Sequence, residues 1–398
     1  MTCQITRPKK TRRHSMKDTP MRHHPPLSAA SFAVAAICLS PAANAQSSVA
    51  LYGILDAGFV VADRGHGVKI TQVSSGILSG SRWGVRGVED LGAGLKALFT
   101  LETGLDLDTG TLKAFSPQPS SATPTAPNGA VFTGGFNRRS FVGLDTPIGE
   151  FHFGRDYAPF FHAVLKADTM SLGLFGNLQS SVSITGSSER WVRFSNGVNY
   201  LSPNLGGLRV RAAYSFGENT GAPGTAPKGA SNAWGLGAEY SMGDLELVGS
   251  YQALQLANTA GMPVAFTGNT TTVRNWLLGA RYTNGDFAAT TGHWRGSSPW
   301  NGRTSWIGVA YSMGNHTVST QVQSLSQANP AGSKREATVI GLGYTYSLSR
   351  RTTLYATWGR SINNATASVA VLAADVSIAP TAAGADPKAT AIGVRHTF

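Results

Sequence analysis

The feature that most limits what this chain can become is an alternation of apolar and polar residues, in twos, that recurs from end to end without lengthening into a long apolar run. In "GLRVRAAYSF", Leu208, Val210, Ala212, Tyr214 and Phe216 share one face, and Arg209, Arg211, Ala213 and Ser215 the other. "AWGLGAEYSM" sets Trp234, Leu236, Ala238, Tyr240 and Met242 against glycines, Glu239 and Ser241, and "AIGVRHTF" carries the pattern to Phe398. A period of two is that of a half-exposed β-strand. No run reaches the roughly 18 apolar residues that mark a membrane-spanning helix. Aromatic and β-branched residues recur throughout, which argues against a disordered chain.

Short turns such as "LGAG" (91–94), "TPIG" (146–149), "MGD" (242–244), "NGD" (284–286) and "MGN" (313–315) close one end of the strands. Long Gly, Ser, Thr, Ala and Pro-rich connections (105–135, 218–231, 362–388) close the other, as in an up-and-down meander. A loose repeat, "GAEY", "GARY", "GVAY", "GLGY" and finally "GVRH", puts Tyr240, Tyr282, Tyr311, Tyr344 and His396 near strand ends. A ring of aromatics at one depth is the mark of a membrane interface. A soluble sandwich would show the same alternation; the aromatic ring, long strands and small polar faces favour lipid outside and water inside.

The expected fold is therefore all-β, a transmembrane antiparallel up-and-down barrel of about 16 strands. The second strand is expected over 72–87, the fourth over 136–145, the sixth over 187–201 and the last over 389–398. The first strand, "SSVALYGILDAGF", is expected to pair with the last, so that Phe398 ends in register and no edge is left open.

The first 45 residues read as a secretory signal. Basic residues from Lys9 to Arg22 precede an apolar run from Leu27 to Leu39, and "ANA" ends at Ala45, where cleavage is expected. Translation could begin at Met1, Met16 or Met21. Residues 46–398 then form one barrel. Both cysteines, Cys3 and Cys38, fall in the leader, so neither a disulfide framework nor a thiolate is expected beyond it. Removing it leaves 26 Lys and Arg against 20 Asp and Glu, a net charge of +6 instead of +12. Much of the basicity is then targeting signal, and a nucleic-acid partner loses its support.

The blocks "SSVALYGILDAG", "SRWGVRGVEDLGAGLKALFTLETG", "FNRRSFVGLDTPIGEFHFGRDY", "NGVNYLSPNLGGLRVRAAYSFGE" and "GVRHTF", in that order over nearly all of 47–398, resemble the general diffusion porins of Gram-negative outer membranes. That resemblance implies a trimeric, sixteen-stranded barrel that passes small hydrophilic solutes and ions through a water-filled pore. It also implies a homotrimer set in outer-membrane lipid and lipopolysaccharide, and a third loop, here Ala158 to Thr185, folded into the barrel. The terminal Phe398 matches the aromatic read by the barrel-assembly machinery.

In the family, a row of arginines faces acids on the inserted loop. Carried over block by block, the row maps onto Arg82, Arg138 and, by a weaker match, Arg193. Arg86 shares the inward face with Arg82, and Arg155 stands where the loop begins. Alternation, with Val85 and Phe141 taken as outward, places Arg82 and Arg138 inward. Lys96 and Glu102 are also read as inward and able to pair. The loop departs from the family: "SLGLFGNLQ" has Leu174, beside Phe175 and Gly176, where a glutamate is expected, and leaves Asp168 and Asp156 as its main acids. Basic residues kept and acids lost predict a modest preference for anions. A substrate-specific channel for a sugar or small organic acid is the alternative; for it Trp234 and Trp276 are read as outward, Trp306 and Trp191 as possible lumen residues. His152, His162, His293 and His316 form no catalytic or metal-ligand pattern, so neither an enzyme nor a cofactor is expected.

Overall fold

The structure, a computed structural model, describes residues 48–115, 132–133, 135–182, 192–217, 228–230, 232–257, 270–297, 301–328 and 332–398. The leader, its cleavage point and Trp191 lie outside them.

Sixteen antiparallel strands close on themselves. They are β1 (Ser48–Asp63), β2 in two pieces (Lys69–Ser75 and Arg82–Gly92), β3 (Leu95–Asp106), β4 (Arg139–Thr146), β5 (Gly149–Tyr157), β6 (Arg193–Leu201), β7 (Leu208–Ser215) and β8 (Ala233–Met242). The circuit continues through β9 (Leu245–Ala257), β10 (Thr270–Asn284), β11 (Phe287–Ser297), β12 (Asn301–Met313), β13 (His316–Ala328), β14 (Lys334–Ser347), β15 (Thr352–Asn363) and β16 (Lys388–Thr397). Each pairs with its neighbours in the chain, and β16 returns to β1 in register from Ile54↔Thr397 to Asp63↔Lys388.

Phe398 extends that last ladder: its N–H donates to the Gly53 carbonyl and its carbonyl accepts from Gly53 N–H, both at 3.1 Å. The far edge of its ring reaches Gly53, where a Cβ would come within 2.3 Å of Phe398 Cζ and 2.9 Å of the Arg82 carbonyl oxygen. A side chain at this position would have to displace the terminal ring and press on the Arg82 carbonyl, which favours glycine there.

The outer wall is apolar. Leu236, Leu278, Ile307, Val322, Leu342 and Ile392 point outward, with Leu278 and Ile307 61% and 62% exposed. In water each such side chain would forgo about 1.5–3 kcal/mol of burial, so a band running round the barrel requires a non-aqueous surrounding. Tyr311 and Tyr344 lie at one depth, both aligned with Val318 between them, and with Tyr240 and Tyr282 they border the short-turn end.

Three details differ from the sequence-based expectation. The second strand is not continuous over 72–87, because residues 76–81 leave the wall and fold inward between its two pieces. The fourth begins at Arg139, so Arg138 precedes the ladder instead of alternating within it. The long connection 362–388 carries a small hairpin, Val371–Leu372 with Ser377–Ile378, that also folds inward and packs with Ile77, Met170 and Phe175.

Deleting Phe398 removes two backbone hydrogen bonds worth about 0.5–1.5 kcal/mol each and the aromatic that covers the seam. The fraction of heat-modifiable, folded barrel recovered from outer membranes is expected to fall well below that of the full chain. Normal recovery of the truncated chain would contradict this account of closure.

Candidate functional site: an arginine-lined constriction

The inserted loop starts with a helix, α1 (Pro159–Ala167), opened by a proline at its first turn, where a missing N–H costs nothing. Its apolar face, Phe160, Ala163, Val164 and Ala167, packs with Val248, Leu277, Trp294 and Trp306 of the inner wall. Trp306 points inward, and its indole N–H donates to the Ala167 carbonyl at 2.9 Å.

Beyond the helix the chain follows the wall. Thr169 N–H donates to Gln321 Oε1 at 3.2 Å, and Phe175 N–H to Thr357 Oγ1 at 3.0 Å. Gly176 passes so close to the backbone of Gly341 that a Cβ would sit 2.5 Å from its Cα. Ser171, Leu172 and Leu174 all take left-handed φ values, 52°, 58° and 60°, at about 1–2 kcal/mol each. The fully buried Asp168 offsets this strain by accepting the N–H groups of Met170, Leu172 and Leu178 at 3.1, 2.8 and 3.3 Å.

What the loop leaves open is a cavity of about 710 Å³. Its charged lining comprises Arg82, Arg138, Arg139, Arg193 and Lys113 against Asp106 and Asp375. His162 also lines it; burial and the neighbouring Arg211 push this imidazole down to about 3, so it adds no charge at neutral pH. The arginines are held around Tyr157, whose hydroxyl accepts from Arg138 Nη2 at 2.9 Å and Arg193 Nη2 at 3.3 Å. The Arg193 guanidinium also stands 4.7 Å from the ring centroid, at cation–π distance.

Two acids brace the arginines from within the wall. Glu102 accepts from Arg138 Nε at 2.8 Å, lies 3.6 Å from Arg82 Nε and takes the Tyr52 hydroxyl at 3.0 Å. Asp156 accepts from Arg139 at 2.7 and 3.1 Å and meets His152 Nδ1 at 2.7 Å. Lys113 lies 2.8 Å from Asp106 and 3.4 Å from Asp375. Five cations against two acids in the lining give an excess of three, and counting Glu102 and Asp156 reduces it to one. Both acids are nearly inaccessible, and Arg138 and Arg193 are buried as well, so Arg82 and Arg139 are the more exposed guanidinium groups of the lining.

Among the residues singled out from sequence, Arg82, Arg138 and Arg193 therefore line one cavity. Arg86 does not reach it: it is exposed on the same inward face and lies over the Tyr52 ring at 5.2 Å. Arg155 is also outside the lining, donating to the Asn137 carbonyl and Ser195 Oγ at 2.7 Å each. Asp168, Leu174, Phe175 and Gly176 are buried between loop and wall, with Leu174 directed at Gly343. Phe141 faces inward, stacked on His152, so the alternation places Arg139 in the lumen; Arg138 reaches it from the turn before the strand. Lys96 pairs with Asp145 at 3.5 Å, not with Glu102. Sequence reasoning passed over Arg139, Lys113, Asp106 and Asp375. For Arg139 the clue was its alternation with Val142 and Leu144, which are exposed on the outer face.

A family model described as Gram-negative porin matches residues 29–366. This chain belongs to that family. The porin is 28% identical over 393 residues to "Outer membrane porin protein 32" of Delftia acidovorans, covering 92% of this chain and 98% of that one. Its fold is similar to a solved structure titled "Anion-selective porin from Comamonas acidovorans", at TM-score 0.71 and 24% identity, covering 89% of this chain and 100% of the other. It is also similar to the trimer form of OmpT from Vibrio cholerae, at TM-score 0.60 and 17% identity, covering 88% and 99%. The porin resides in the outer membrane as a multi-pass barrel, and the fold and family indicate a channel and not an enzyme. Among the described residues no group of three or more His, Cys, Asp or Glu could hold a metal ion.

Because Leu174 is 2% exposed, Leu174→Glu would bury a carboxylate against the wall, at a cost of several kcal/mol, instead of adding a pore charge. The variant is expected to dislodge the loop, giving larger and noisier single channels in a planar bilayer. A quiet channel of normal conductance with cation preference would instead mean that this position faces the pore.

Proposed function

We propose that the porin forms homotrimers whose pores pass small hydrophilic solutes and ions with a modest preference for anions. The observation that carries the reading is the cavity wall, where Arg138, Arg139 and Arg193 converge on Tyr157 and Arg82 shares the lining. The structurally similar porin titled anion-selective adds support. Two unit charges about 4 Å apart interact by about 4 kcal/mol at an effective dielectric of 20, but by about 1 in bulk water. A wetted constriction lies nearer the lower figure, so selectivity is a bias and not a barrier.

A trimeric state is supported by the similar porin solved in a trimer form. Outer-membrane lipid and lipopolysaccharide would meet the apolar band, and the barrel-assembly machinery would read Phe398. A second reading, a channel with a site for a small organic acid, is favoured by the Tyr157 hydroxyl held between Arg138 and Arg193. It requires conductance that saturates with the organic anion, whereas simple diffusion gives a linear rise.

Reversal potential under a salt gradient tests the main reading. Wild-type channels are expected to favour anions at low salt, with the bias fading toward 1 M as the Debye length falls to about 3 Å. Replacing Arg82 and Arg138 by Ser should move the reversal potential toward cations. Cation preference in the wild type, or an unmoved double variant, would sink the assignment.

The same reading places the mature N-terminus at Gln46, after the basic and apolar leader. The intact mass of the purified membrane protein is expected to begin there; a chain retaining Met1 would contradict it.

A further inference from the structure

Asp56 lies on the inward face of β1, is fully buried, and forms no ion pair among the described residues. Its charge is satisfied by four donors instead. Oδ1 accepts from Ile77 N–H at 3.1 Å and the Tyr355 hydroxyl at 2.7 Å; Oδ2 accepts from Leu78 N–H at 3.0 Å and Ser79 N–H at 2.7 Å. Three of the four belong to the segment 76–81 that interrupts β2. The backbone of Asp56 holds the same segment, its carbonyl accepting from Gly76 N–H at 2.8 Å and its N–H donating to Ser81 Oγ at 3.0 Å. A buried carboxylate without a cation is costly and persists only where its donors are fixed.

The clasped segment is in turn the point where the two inward-folded connections meet. The single carbonyl of Ile77 accepts from Leu174 N–H of the third loop at 2.9 Å and from Ala374 N–H of the last loop's hairpin at 3.2 Å. The carbonyl of Gly76 accepts from Asp375 N–H at 2.8 Å. The carboxylate of Asp375 and Nη1 of Arg138 both crowd Gly80, at 2.4 and 3.0 Å from where a Cβ would stand there.

We propose that Asp56, which does not itself line the cavity, is a positioning residue that sets the width and charge of the constriction by clasping segment 76–81 as the common anchor of both inward loops. The carboxylate fixes the Ile77 carbonyl, that carbonyl ties third loop to last loop, and the tie keeps Asp375 against the arginine wall. The inference rests on the channel reading above and adds a residue that no pore-facing criterion would select.

Asp56→Asn tests it, because it keeps size while replacing one acceptor oxygen with an NH2 group aimed at main-chain N–H donors. Trimers of the variant, checked for unchanged heat-modifiability, are expected to show single-channel conductance raised roughly 1.5-fold or more. Frequent transitions between levels and a permeability ratio nearer unity should accompany the rise. A change of local charge alone would shift the ratio at unchanged conductance, which would overturn the proposal. Tyr355→Phe removes one donor and leaves the three N–H groups, so a smaller rise is expected; it carries the test should Asp56→Asn fail to assemble. Assembled Tyr355→Phe channels as quiet and as conductive as wild type would likewise overturn it. Failure of the wild type to conduct would instead strike at the channel reading itself.

Discussion

Everything in this porin depends on the pairing of its first and last strands. A backbone N–H or C=O facing hydrocarbon has no water to bond, so a sheet can stand in a bilayer only if no edge is left over. The register from Ile54↔Thr397 to Asp63↔Lys388 removes that edge, and the Gly53–Phe398 bonds take it to the last residue. Once the sheet is closed, inside and outside become different solvents for alternate residues of every strand. The exposed leucines and isoleucines outside, and the glutamines, threonines and glycines inside, follow from that division.

A closed barrel of this size encloses more space than its own side chains fill, and two connections occupy it. They fit because the inner wall is low. Gly341 lets Gly176 approach backbone to backbone, while Gln321 and Thr357 supply polar atoms for the loop's N–H groups. The left-handed turn at 171–174 is strained in isolation and is held by Asp168 and the wall together. The loop's shape is thus a property of the assembled barrel more than of its own sequence.

The arginine-lined cavity holds its positive charges without leaving an unsupported cluster of cations. Glu102 and Asp156 are nearly inaccessible and accept from Arg138 and Arg139, so they hold those guanidinium groups in place and offset part of their charge. Tyr157 spaces Arg138 and Arg193 around one hydroxyl. Mutual repulsion among the arginines is offset locally, leaving a small net positive charge in and behind the lining.

The sequence by itself determined what depends on neighbours two residues apart or on the end of the chain. The period-two alternation specified the strands and the lipid side, the short turns specified the meander, and Phe398 in register pointed to closure. The resemblance of separated blocks then brought Arg82, Arg138 and Arg193 to one wall. Only the tertiary structure decided features set by contacts between residues hundreds apart. Leu174 turns to the wall at Gly343; Asp375, near the chain's end, reaches the cavity that Arg138 lines. Asp56 reads in sequence as one more polar residue on an alternating strand. Its four donors come from residues 77, 78, 79 and 355, and only barrel closure brings that last strand pair beside the first.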